Sequence, residues 1–205
     1  MIAESEGFYN EKLQTHGNTA MGVGWKDEAA QRIRFEQLIK VLPASTHFSV
    51  NDLGCGTGAL AGYLSLWELD YRYSGYDILP EMVQRAVLQY GHLPNHTFNT
   101  IEMAADMGVA DYTIASGLFN LPFGQPASDW HEHILETITT MHKKSVYGFA
   151  FNALTKYSDP HLMRPELHYA DPLLLFDYCK KEFSKNVALL HDYNLYDFTI
   201  LVKKR

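Results

Sequence analysis

Among its 205 residues the chain has only two cysteines, Cys55 and Cys179, so no disulfide framework staples it and a reducing compartment fits. It has no run of five basic residues, and 17 Lys and Arg against 24 Asp and Glu leave a net charge of −7. Neither a local patch nor the overall field attracts a phosphate backbone, so nucleic acid is not an expected partner. No apolar stretch approaches the roughly 18 residues of a membrane helix, so no membrane insertion is expected. The acidic opening Met1-Ile2-Ala3-Glu4-Ser5-Glu6 lacks the basic-then-apolar order of a secretory signal. The expected location is cytoplasmic. Repeats and low-complexity tracts are also absent, and a hydrophobic fraction of 46% suffices for one sizeable core but not two.

Short strand-like runs alternate with longer helix-like ones, which predicts an α/β fold. Residues 1–26 combine four glycines (Gly7, Gly17, Gly22, Gly24) with Phe8, Tyr9 and Trp25, the composition of a lid segment ahead of a single domain at 27–205. Asp27 reads as an N-cap, and Phe35, Leu38, Ile39 and Leu42 form one apolar helical face that Pro43 terminates. Strands are expected at 48–53, 71–76, 98–102, 111–116 and 146–151. Helices are expected at 59–69, from Pro80 onward, and from an Asp129-x-x-Glu132 capping box to about His142; a last one opens at Asp171-Pro172 and runs to about Lys181. The final runs 187–190 and 198–202, joined by a short polar link, predict an antiparallel pair closing an otherwise parallel sheet.

The chemistry centres on Asn51-Asp52-Leu53-Gly54-Cys55-Gly56-Thr57-Gly58, a glycine turn between a strand and a helix. Glycines there let the backbone approach a ligand, and the helix N-terminus offers N–H groups to a carboxylate. Gly54-x-Gly56-x-x-Ala59 also satisfies the dinucleotide fingerprint, with Asp77 near the place of its ribose-binding acid, so the glycines leave both ligands open. Asp52 separates them. A carboxylate two residues before the turn suits a ligand that carries an ammonium group and sits awkwardly beside a pyrophosphate.

On these residues the chain resembles the class I (Rossmann-like) S-adenosylmethionine-dependent methyltransferases, over about residues 27–205, with an ending similar to that of small bacterial members. The resemblance implies a three-layer Rossmann-like sandwich around a mostly parallel seven-stranded sheet with an antiparallel last strand. It implies S-adenosyl-L-methionine as cofactor, with Asp52, Gly54, Cys55, Gly56 and Gly58 around its methionine end. Asp77, followed by Ile78, is similar to the acid that accepts hydrogen bonds from both ribose hydroxyls. Asp106 is the nearest match to the acid beside the adenine, with Glu102 and Met103-Ala104-Ala105 able to take that place. Ser116-Gly117-Leu118-Phe119-Asn120 stands where the next motif lies but departs from the Asp/Asn-Pro-Pro-Tyr form, which turns the reading toward a small-molecule acceptor. Arg34 is a candidate for the cofactor carboxylate, because its guanidinium suits bidentate pairing.

Candidates to face the acceptor are His16, Asn120, Tyr157, His161, Arg164, His168 and Tyr169, most of them in a 152–170 segment polar and long enough for a lid or pocket wall. His131-x-His133 falls in a predicted helix, where residues two apart do not share a face, so both are expected to be solvated and no metal site is expected. Cys55 is expected to be a small packing residue. The remaining alternatives are an NAD(P)-dependent oxidoreductase and a non-catalytic module that binds S-adenosylmethionine.

Overall fold

The computed structural model describes residues 7, 9, 11, 12, 14, 15, 17, 19, 27–44, 47–67 and 69–204. Asp27 caps helix α1 (Glu28–Leu38) by accepting from the Ala30 N–H at 2.7 Å. The chain continues through β1 (Phe48–Leu53), α2 (Ala59–Leu64), β2 (Tyr71–Asp77), α3 (Pro80–Tyr90), β3 (His96–Thr100) and β4 (Ala110–Ala115). It ends with α4 (Ala127–Lys144), β5 (Ser145–Leu154), α5 (Pro172–Glu182), β6 (Asn186–Leu190) and β7 (Asp197–Lys203). Proline at the first turn of α3 and α5 forfeits no helical hydrogen bond, and Asp171 caps α5 through the Leu173 and Leu174 N–H groups.

The seven strands form one sheet in the order β3-β2-β1-β4-β5-β7-β6. β1 pairs in parallel with β2 and β4, β2 with β3, and β4 with β5, while β7 inserts antiparallel between β5 and β6. This is the sheet expected from the sequence, and it differs from the all-parallel six-stranded arrangement of the dinucleotide rival. Alternation along the strands splits the core into two apolar layers. Phe149, Phe151, Phe198 and Ile200 pack under α4 and α5, whereas Val50, Tyr73, Ala150 and Leu201 pack under α1 and α2. Asp52 follows Phe48 and Val50 in period, so it emerges on the α1 side at the top of β1.

Several boundaries differ from expectation, β5 running on to Leu154 among them. α2 stops at Leu64, not Leu69, because the Ser65 hydroxyl donates to the Gly62 carbonyl at 2.8 Å and Leu66 beyond it is 79% exposed. β3 lies two residues earlier than expected, paired through His96↔Tyr73 to Thr100↔Asp77. α4 starts after Pro126, and Asp129 accepts from the adjacent Ser128 hydroxyl at 2.8 Å in place of a capping box. No helix among the described residues is long and apolar enough to cross a membrane.

Candidate functional site

A cavity of about 580 Å³ opens over the C-terminal ends of β1, β2 and β4. The turn after β1 forms its floor. Gly54 and Cys55 both donate their N–H to the Tyr76 carbonyl (2.8 and 3.0 Å), and the Gly56 N–H donates to Asp77 Oδ2 at 2.9 Å. The turn passes through positive φ at Gly54 (75°), Gly56 (53°) and Gly58 (85°), where an L side chain is strained. Gly58 lies behind the wall, and a Cβ there would stand 2.8 Å from the Tyr90 ring. Gly58→Ala is therefore expected to lower unfolding free energy by about 2–3 kcal/mol in urea denaturation, from backbone strain plus overpacking.

Asp77 Oδ1 accepts from the Leu79 N–H at 3.0 Å, so each carboxylate oxygen already holds one backbone donor and the group has a fixed aim. Burial still pushes its pKa above the ordinary carboxylate value, against the pull of these backbone bonds. Asp52 is 2% exposed and accepts from the Tyr73 hydroxyl at 2.5 Å. Burial pushes its carboxyl up to about 7; the Tyr73 bond opposes this and the Asp77 charge adds to it. A raised carboxyl pKa stabilises the fold below the unfolded value near 4 and forfeits that stability as pH climbs to about 7. Asp52→Asn is thus expected to be more stable than wild type at pH 8 without ligand, by on the order of 2–4 kcal/mol, with the gap closing toward pH 4 in thermal melts.

Across from the floor, Ser116 and Gly117 line the cavity, with the Gly117 N–H donating at 2.7 Å to Oδ1 of the fully buried Asn152 on β5. Ser116 Oγ is buried without a hydrogen-bond partner among the described residues. Ile78, Leu118 and the 101–105 segment complete an apolar slot. The cavity wall therefore brings together Asp52, Gly54, Cys55, Gly56, Asp77, Ile78, Ser116 and Gly117 from the sequence candidates.

Other candidates lie elsewhere. Arg34 is not on the wall: its Nη2 donates to Asp197 Oδ2 at 2.6 Å, joining α1 to β7 inside the protein. Asp106 turns its carboxylate back to the Glu102 and Met103 N–H groups (3.2 and 3.0 Å), leaving Glu102 to Ala105 on the wall. Asn120 fastens its loop to β5, accepting from the Leu154 N–H at 3.0 Å, and its carbonyl takes the His168 N–H at 2.9 Å. Tyr157 and His161 are exposed, and Arg164 pairs with Glu166. His168 is half-buried, and the Tyr169 hydroxyl accepts from the Arg164 N–H at 2.9 Å. The 155–170 loop closes on itself through a Thr155–Ala170 bridge and gives the cavity no residue, contrary to the expected wall. His16, Phe8 and Trp25 lie outside the described residues.

The wall also holds residues that sequence reasoning missed. His133, expected to be solvated, stacks on Trp130 at 4.9 Å and 25°, one helical turn away on the cavity face of α4. The Trp130 indole N–H donates to the Phe119 carbonyl at 3.0 Å, which fixes the platform. Burial holds the His133 imidazole below its ordinary pKa, against the pull of Glu136, which favours its neutral form. Tyr9, one of the lid aromatics expected from the sequence, covers the α1 side together with Gln31 and Phe35, and it packs on Leu79 and Met82 and edge-on to Phe123 at 6.4 Å.

No family model matches the chain. The Mycobacterium tuberculosis protein Rv1506c, provisionally named a methyltransferase, is 47% identical over 166 residues, which cover 81% of this chain and 99% of the relative. Among solved structures, the N-methyltransferase NodS of Bradyrhizobium japonicum, in complex with S-adenosylhomocysteine, superposes with a TM-score of 0.70 at 12% identity over 98% of both chains. The magnesium protoporphyrin IX methyltransferase ChlM of Synechocystis, also with bound S-adenosylhomocysteine, gives 0.63 at 15% identity over 86% of this chain and 84% of that one. At these identities the two structures establish a shared fold.

Proposed function

This chain belongs to the class I, Rossmann-fold methyltransferases, and we propose that it transfers the methyl group of S-adenosylmethionine to a small-molecule acceptor by in-line displacement. The observation that carries the proposal is one cavity wall on which Asp52, the glycine turn and Asp77 stand together. The residues present fit the cofactor. Each Asp77 oxygen keeps a lone pair beyond its backbone donor, the acceptor set that a ribose diol requires. Asp52 supplies negative charge for an ammonium group, and the partnerless Ser116 Oγ is available to a ligand. Ile78, Leu118 and the 101–105 segment offer an apolar slot for the base. The S-adenosylhomocysteine held by both structural neighbours supports the same reading.

When bound, the cofactor supplies a methyl group already activated on a sulfonium. What this chain adds is alignment and dryness: a rigid turn, two aimed carboxylates, and aromatic cover from Tyr9 and Phe123. On this reading His133, the histidine among the described wall residues, takes a proton from an acceptor that arrives protonated. The test is incubation of the enzyme with methyl-labelled cofactor and fractionated cell extract. Label is expected in a small-molecule fraction; label in nucleic acid or protein alone overturns the acceptor class.

Tyr9 over the cavity also supports residues 1–26 as a lid on a single domain at 27–205. Deleting residues 1–24 is expected to cut methyl transfer by about tenfold or more while the melting temperature moves little, since every described strand lies at residue 48 or beyond. Normal turnover by the truncated chain removes the lid.

A further inference from the structure

Tyr73 is 1% exposed in the middle of β2, and its hydroxyl reaches Asp52 across the β1–β2 pair, where Val50 faces Tyr73 and Gly75 faces Asp52. Glycine at 75 leaves the space opposite the carboxylate to the Phe98 ring and Cys55 Sγ, which a Cβ there would meet at 2.7 and 3.0 Å. The Tyr73 ring is held in place: it stacks on His96 at 5.2 Å and 24° and leans on Phe98 at 5.6 Å. His96 is itself bonded to the Tyr71 hydroxyl at 3.2 Å. Burial pushes the phenol pKa well above its ordinary value, so Tyr73 stays a donor at every pH of interest.

We propose that Tyr73 is the positioning residue of the ammonium site: its hydroxyl aims the Asp52 carboxylate at the cavity and favours the charged form that meets the ligand's cation. The inference rests on the adenosylmethionine reading. A donor to a carboxylate stabilises the anion, and few other groups at Asp52 do so. Asp77 from the end of β2 and Cys55 from the turn are the other titratable neighbours, and a charge on either opposes ionisation. On the remaining sides α1 presents Gln31 and Phe35, and β4 presents Ile114, none of which carries charge. Tyr73 thus works against burial and Asp77 to keep Asp52 available at neutral pH.

The role separates from a merely structural one by its pH dependence. Calorimetric affinities of wild type and Tyr73→Phe are compared for S-adenosylmethionine and for 5′-methylthioadenosine, which lacks the amino-acid end, from pH 7 to 8.5. The ligand's own titration is common to both proteins and cancels in the ratio. Loss of the bond raises the Asp52 pKa by about one to two units, so the variant is expected to bind adenosylmethionine about tenfold more weakly at pH 7 and about twofold more weakly at pH 8.5. Methylthioadenosine is expected to bind both proteins alike, and Tyr73→Phe is expected to add no loss in an Asp52→Asn background. In the wild type alone, adenosylmethionine binding at pH 6.5 is expected to release protons, read from titrations in buffers of different ionisation enthalpy. A loss that ignores pH, an equal loss for both ligands, a further loss in Asp52→Asn, or absence of proton release overturns the inference. Wild type that binds neither ligand overturns the adenosylmethionine reading itself, and the inference falls with it.

Discussion

Asp77→Ala is expected to bind S-adenosylmethionine about 10–150-fold more weakly than wild type, a loss of roughly 1.5–3 kcal/mol. The size follows from chemistry in the site. An ionised acceptor held by Gly56 and Leu79 has its orientation fixed before ligand arrives, so little ordering cost offsets the two bonds it can accept from a vicinal diol. Stability should suffer less than affinity, because burial already raises the carboxyl pKa and so opposes its charged form in the empty site. Calorimetry on the folded variant reads the effect, and an unchanged affinity removes Asp77 from the site.

The largest loss of stability is expected at the Arg34–Asp197 pair. Asp197 is fully buried and Arg34 is 8% exposed, so Arg34→Ala strips a buried carboxylate of its guanidinium and should cost about 3–5 kcal/mol. For a chain of this length that is on the order of 10 °C in melting temperature. The double variant Arg34→Leu/Asp197→Leu removes both charges together and should recover much of the loss, since the desolvation cost disappears along with the attraction. An Arg34→Ala protein that melts like wild type contradicts a buried, dry pair. Because Gln31 and Phe35 on the same helix line the cavity, the pair also holds the α1 wall in place.

The elements with strong local signals were legible in the sequence: the N-caps at Asp27 and Asp171, proline at the first turn of two helices, and the glycine turn after an apolar strand. The antiparallel pairing of β6 with β7 followed from a short polar link between two apolar runs. Misplacements came where local pattern and tertiary demand diverged. Leu66 and Trp67 continue an apolar helical run yet face solvent, so α2 was drawn too long. In β3 only Phe98 is strongly apolar among His-Thr-Phe-Asn-Thr, so its start carried no alternation to read. At the site, Asp52 and Asp77 were readable because their motif is contiguous or ends a strand. Arg34 was not, since its partner Asp197 lies 163 residues away. Asp106 has acidic chemistry suited to a base, but its own backbone offers two nearby N–H groups that satisfy it first. His133 was overlooked because it was weighed as a pair with His131; the spacing that mattered was three residues, to Trp130.

Whether the cavity bounded by Asp52 and Asp77 takes adenosylmethionine is read by calorimetric titration of the full-length protein with S-adenosylmethionine, S-adenosylhomocysteine and NAD. Saturable binding of the first two and none of NAD is expected, with both affinities reduced in Asp77→Ala. Tight NAD binding with no response to S-adenosylmethionine would contradict the adenosylmethionine reading.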